Sequence, residues 1–109
     1  LAQAGAQLVI VPTALTHEWA IVAERVIPTR AFENGIWFIY ANHAGVENGT
    51  HYLGHSCIIS PDGKDAARAG TGEQVITAKL DVESVTAAQK RIPYLKDVID
   101  LNNRLTSPD

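Results

Sequence analysis

One thiol, Cys57, and four imidazoles, His17, His43, His51 and His55, are the most chemically versatile side chains in this sequence. A thiolate is the strongest common protein nucleophile at neutral pH. Cys57, however, stands between Ser56 and Ile58 inside an apolar run, where a free cysteine usually behaves as a small buried hydrophobe. It is read as core, and no catalytic role is assigned to it. A metal site built from these groups lacks the necessary spacing. His55 and Cys57 point to the same side of a strand, but His43 and His51 fall in the preceding loop and His17 is remote. No second cysteine or acidic cluster completes a set, so no metal is expected.

Other polar groups cluster by spacing. Arg30, Glu33 and Asn34 lie three and four residues apart, so Arg30 can pair with Glu33 and bond near Asn34 at one side of a helix end. The expectation is a partly enclosed polar cluster, with a plain surface ion pair as the alternative. Asn42 and His43 stand where an apolar strand opens into a loop, the usual place for a site on a rigid scaffold. The Asn42 amide could equally tie down the loop backbone. Glycines at 70–72 are not followed by the lysine and serine that a phosphate loop requires.

The elements that must position these groups follow from periodicity and punctuation. Leu1–Ala4 reads as a helix end capped by Gly5, and Leu8–Val11 as a strand buried on both faces and closed by Pro12. Thr16 suits an N-cap. Trp19, Val22, Ala23, Val26 and Ile27 recur on one helical face, and Pro28 should kink or divide that helix before its end at Asn34–Gly35. Ile36–Asn42 is a second buried strand, His43–Tyr52 a loop, and Ser56–Ser60 and Lys64–Ala69 a hairpin around Pro61-Asp62-Gly63. Gln74–Leu80 is expected as a further strand. Asp81 should cap a helix over Val82–Arg91, and Pro93 opens a tail with apolar anchors from Tyr94 to Leu105. The fold class is α/β (α+β), with several strands lacking a partner and so exposing edges that invite association.

Composition narrows the function classes. With 109 residues, 46% hydrophobic, 19% charged and a net charge of -3, the chain is one globular domain or part of one, without the basic patch of a nucleic-acid binder. Its longest apolar stretches are too short for a membrane span, and it has no signal-peptide pattern, so no membrane partner is expected. A single cysteine agrees with a reducing compartment, and the cytoplasm is the default. The complete lack of methionine points to a fragment.

Five short signatures occur in fixed order: Pro12-Thr13-Ala14; Arg30-Ala31-Phe32-Glu33-Asn34; Ala41-Asn42 before Gly45; Gly54-His55-Ser56; and Pro61-Asp62-Gly63-Lys64. Together they resemble the latter part of a carbon-nitrogen hydrolase of the nitrilase superfamily, from about Leu1 to the neighbourhood of Val98. The resemblance implies the C-terminal part of a four-layer αββα sandwich over 1–98, with 99–109 as a tail that reaches a second subunit in a homo-oligomer. It implies a small amide or carbamoyl substrate, no cofactor, and a cysteine, glutamate and lysine located upstream of Leu1 on the missing N-terminal part of the domain. None of the three can be carried onto this chain, since Glu33 and Lys64 do not fall in the corresponding motifs. The strand end at Pro12-Thr13-Ala14 would lie beside the nucleophile, making Thr13, Ala14 and Trp19 candidate pocket walls, with Trp19 equally suited to ordinary core. Asn42 and His43 join them as substrate-binding candidates. Many relatives carry arginine where His43 stands, which bears on substrate preference. The contrasting expectation is a stand-alone module that binds a small ligand or partner and has no catalysis.

Overall fold

A computed structural model describes residues 1–106. Strand β1 (Leu8–Thr13) pairs in parallel with β2 (Trp37–Asn42), which pairs antiparallel with β3 (Cys57–Ile59). Strand β4 (Asp65–Arg68) completes a four-stranded sheet in the order β1-β2-β3-β4. A parallel pair needs a crossover. Here it is helical and runs from a 3-10 turn at His17–Trp19 through a π-helical segment at Val22–Val26 into helix α1 (Ile27–Asn34).

Pro28 explains the π segment. The Ile27 N–H bonds to the Val22 carbonyl, five residues back. In the same register the Ala23 carbonyl would receive the nitrogen of Pro28, which carries no hydrogen. Arg68 of β4 supplies the missing donor, its Nη2 reaching the Ala23 carbonyl at 3.0 Å while its guanidinium grips the Asp65 carboxylate at 2.7 and 3.0 Å. The helix runs on from 20 to 34 with its period changed rather than broken, which corrects the expected division, and a sheet residue satisfies the orphaned carbonyl. Ala23, Ile27 and Ala31 face the sheet, whereas Trp19, on the 3-10 turn ahead of the helix, is 52% exposed and leaves the apolar stripe on which it was placed.

Ala23, Ile27 and Ala31 pack with Tyr40, Cys57, Ile59 and Leu53 in one cluster. Each large side chain fully removed from water there contributes roughly 1.5–3 kcal/mol. On the opposite face Trp37, Ile58 and Val85 form a second cluster, flanked by Ile39, Ile76, Ala78 and Leu80. Leu8 and Ile10 share register with Trp37 and Ile39, yet they remain 38% and 60% exposed. This corrects the expectation that β1 is buried on both faces. It has one neighbouring strand, and nothing among the described residues covers that part of its face.

Two further expectations need correction. The stretch 74–80 is extended, with Ile76, Ala78 and Leu80 half-buried and Val75, Thr77 and Lys79 exposed, but it forms no ladder. Its alternation is that of a strand; the pairing partner is what the described residues lack. The presumed loop at 43–52 is instead a hairpin of β5 (Ala44–Glu47) and β6 (Thr50–Leu53) about Asn48-Gly49, whose φ values of 50° and 79° suit a tight two-residue turn.

Helix α2 (Glu83–Arg91) starts as read: the Asp81 carboxylate accepts the Ser84 N–H at 2.6 Å, and Trp37 Nε1 donates to the Asp81 carbonyl at 2.9 Å. Gly35 ends α1 at φ 61°, and a Cβ there would lie 2.9 Å from Gln89 Cγ of α2. The tail expected after Pro93 is a regular helix, α3, from Tyr94 to Thr106, which runs across residue 98; residues 107–109 of that tail lie outside the described residues.

Candidate functional site

The sheet brings four of the five candidate residues to one end. Thr13 and Asn42 are register partners at the C-terminal ends of parallel β1 and β2, with Ala14 and His43 next in line. Such an end is where an α/β sheet opens toward ligands. The His43 N–H donates to the Thr13 carbonyl at 3.0 Å, continuing the ladder one step beyond the strands. Trp19 lies further along, on the 3-10 turn beside β6, and Thr16 forms an isolated bridge with Tyr52.

Asn42 is 9% exposed and organises this end. Its Oδ1 accepts the Leu15 N–H at 2.8 Å, and its Nδ2 donates to the carbonyls of Leu15 at 3.1 Å and Gly54 at 3.0 Å. The Ser56 hydroxyl straddles the Asn42 backbone, accepting its N–H at 2.9 Å and lying 3.3 Å from its carbonyl. A buried polar group that left these valences unmet would be costly, so the three connecting segments are held to one strand end. Sequence reasoning singled out Asn42 and quoted Ser56 within a signature without giving it a role, since a serine between His55 and Cys57 gives no local sign of a partner fourteen residues away.

His43 Nε2 lies 2.9 Å from the Glu47 carboxylate and its ring meets Tyr52 edge to face at 4.4 Å between centroids. The hairpin therefore fixes the imidazole from both strands. An Asn-Gly dipeptide flanked by Ala44-Gly45-Val46 and His51-Tyr52-Leu53 was the available sequence signal for that hairpin. Between it and the 70–74 segment is a cleft of about 400 Å³ lined by Asn42, His43, His55, Ser56 and Glu73, among others. Gly54 closes one wall; a Cβ there would come within 2.9 Å of the Gly70 carbonyl, at φ 69°.

A larger, mostly apolar groove of about 650 Å³ lies elsewhere, between α1 and α3, with Phe32, Leu95, Val98 and Leu101 on its walls. No cysteine lines it. The Arg30–Glu33 pair, 2.6 Å long, is on the surface with side chains 57% and 44% exposed, which corrects the enclosed cluster expected of it. Asn34 donates to the Arg30 carbonyl at 2.8 Å, an ordinary bond within the helix.

Cys57 is fully buried. Burial pushes its thiol from the ordinary 9.0 up to about 11, Arg68 opposing and Asp65 adding to the shift. A protonated thiol sealed in the core is not a nucleophile. The other histidines do not gather either: among the described residues no three His, Cys, Asp or Glu side chains are grouped to hold a metal ion. None of the described helices is long and apolar enough to cross a membrane.

Comparison with known proteins gives this geometry a context. The carbon-nitrogen hydrolase family profile matches residues 1–90. A protein of Pseudomonas protegens described as "Hydrolase in pqqF 5'region" is 41% identical over 97 residues, which cover 89% of this chain and 34% of that protein. An omega-amidase of Saccharomyces cerevisiae is 31% identical over 101 residues, covering 87% of this chain and 33% of its own length. Among solved structures, a mutant amidase from Nesterenkonia sp. AN1 superposes with a TM-score of 0.77 at 34% identity, covering 97% of this chain and 37% of the amidase. That structure shows covalent addition of the acetamide moiety of fluoroacetamide at its active site cysteine. The α+β arrangement described above is thus that of one portion of such an amidase, and the chain spans about a third of the length of the curated relatives it matches.

Proposed function

The chain belongs to the carbon-nitrogen hydrolase family, and on that premise we propose that it is the C-terminal portion of a hydrolase of non-peptide carbon-nitrogen bonds, of the amidase type or a carbamoyl-amide hydrolase. Its nucleophilic thiol, glutamate base and oxyanion-stabilising lysine belong to polypeptide upstream of Leu1. The observation that carries the reading is the pairing of a family match over residues 1–90 with a lone thiol that is fully buried and protonated. In this reading the upstream thiolate attacks the amide carbon, the C–N bond breaks with release of ammonia or an amine, and water activated by the glutamate cleaves the thioester to the acid. The chain needs no cofactor for this.

The described residues supply walls and scaffold. Thr13, Ala14 and Trp19 wall the acyl side of the pocket, at the end of β1 and on the turn that follows, and His43 at the end of β2 bears on substrate preference. The exposed apolar residues of α3, Val98, Ile99, Leu101 and Leu105, serve contact with a second copy. The bare face formed by Leu8 and Ile10 and the unladdered stretch 74–80 receive the other sheet of the sandwich. A reducing cytoplasmic setting suits the free thiol of Cys57.

Ammonia release from a panel of simple amides by the full-length protein tests the proposal. Turnover is expected, with loss on replacing the upstream cysteine and none from residues 1–109 alone. Amide hydrolysis by the isolated 109 residues, or by a protein with no upstream cysteine, would overturn it.

A further inference from the structure

We infer that Asn42 is a positioning residue for the acyl pocket, setting the loop that carries Thr13 and Ala14 without itself touching substrate. The inference rests on the reading of this strand end as a pocket wall. Both hydrogens of the Asn42 amide are committed, to the Leu15 and Gly54 carbonyls, and Oδ1 takes the Leu15 N–H. No other acceptor is recorded for that N–H among the described residues. The Leu15 carbonyl also accepts the Leu53 N–H at 3.0 Å, so strand β6 and the side chain of β2 meet on one peptide unit.

The consequence for the loop is geometric. His43 holds the Thr13 carbonyl by its backbone N–H, and Asn42 holds the Leu15 N–H by its side chain. Thr13 and Ala14 are clamped between two consecutive residues of the neighbouring strand. Without the carboxamide, Thr13 stays on the ladder and the Leu15 carbonyl stays on the Leu53 N–H, while the Leu15 N–H is freed and the Ala14–Leu15 peptide can turn, so the width of the pocket changes more than its chemistry. A group that fixes a wall should alter discrimination by acyl size; a group that contacts every substrate should weaken all of them alike.

Asn42→Ala and Asn42→Asp in the full-length enzyme provide the test, the aspartate retaining the bond from Leu15 N–H and losing the two donors. Expected for Asn42→Ala is a change of roughly fivefold or more in the ratio of KM for butyramide to KM for acetamide, the scale of one neutral hydrogen bond, with a smaller change in kcat for acetamide. Asn42→Asp sets its second carboxylate oxygen against the Leu15 and Gly54 carbonyls, so its KM ratio should move at least as far, and Asn42→Ser stands in if the alanine variant does not fold. Hydrogen exchange of the peptide containing Leu15 should accelerate in Asn42→Ala. A uniform rise in KM for both amides, or an unchanged KM ratio, would overturn the inference. If the wild-type protein hydrolyses no amide, the reading of function fails separately, and unchanged exchange at Leu15 would then overturn the clamp itself.

Discussion

Arg68 donates to the Ala23 carbonyl the hydrogen that Pro28 cannot, joining the outermost strand of the sheet to the middle of the crossover helix across 45 residues. Ala23 is fully buried, so its carbonyl has no access to water. Removing Arg68 leaves that oxygen bare, at a cost of about 1–3 kcal/mol.

A double-mutant cycle separates this bond from the rest of the arginine. Arg68→Ala should destabilise the full-length protein by about 1–3 kcal/mol, and Pro28→Ala, by restoring a backbone N–H, should recover part of the loss only in the Arg68→Ala background. Chemical denaturation midpoints of the four proteins measure the coupling. Strict additivity would remove the connection between the two residues.

Cys57 should be silent in the native state and audible at high pH. Its raised pKa means that the folded protein holds the thiol proton more tightly than the unfolded chain. The stability it contributes is therefore intact below the ordinary value of 9.0 and is lost as pH rises toward about 11. Peptide-mapped labelling by a thiol reagent at pH 8 should miss Cys57 in the native protein and find it after unfolding, and Cys57→Ala should flatten the alkaline loss of stability. Ready native labelling at Cys57 would contradict its burial.

Glu33 and Gly35 sit two residues apart and should differ sharply on substitution. Glu33→Ala removes a solvent-exposed ion pair worth at most about 1 kcal/mol. Gly35→Ala forces a side chain into the left-handed region, costing about 1–2 kcal/mol, and also presses it against Gln89, whose backbone nitrogen lies 3.2 Å away. Thermal unfolding of the two variants should rank Gly35→Ala as clearly the less stable. The opposite ranking would mean that the Arg30–Glu33 pair carries load the geometry does not show.

Helix α3 offers the test of self-association. Truncation after Lys96 removes Val98, Ile99, Leu101 and Leu105, and uncovers Phe32 in the groove beside α1. Light scattering of the full-length protein at micromolar concentration should show a dimer that becomes a monomer on truncation. An unchanged mass would assign the helix to covering its own subunit.

What the sequence disclosed depended on the range of each signal. Apolar runs at 8–11 and 36–42, the Pro61-Asp62-Gly63 turn and the Gly35 stop are local, and all appear close to where they were read. The stretch 74–80 was legible as a strand by its alternation, but pairing depends on strands elsewhere. Trp19 was misplaced because it stands on a 3-10 turn ahead of the helix, where the helical wheel does not apply. At the candidate site, Asn42 was visible as a polar residue at a strand end. Its partners Leu15, Gly54 and Ser56 were not, because hydrogen bonds spanning 12 to 27 residues leave no trace in spacing.

The parallel register of β1 with β2 also fixes an order of assembly. The bond from Ser60 N–H to the Lys64 carbonyl closes a span of four residues, while Leu15 and Asn42 are 27 apart, and the longer closure costs roughly 1.7 kcal/mol more in chain entropy. The β3–β4 ribbon should thus nucleate early and β1 should join the sheet after it, carried in by its crossover. Pulse-labelled refolding would show amides of Cys57–Ile59 protected before those of Leu8–Thr13; simultaneous protection would mean the sheet condenses as one unit. Until β1 docks, Thr13 and Ala14 have no fixed position, so the proposed pocket wall matures only after the β3–β4 ribbon.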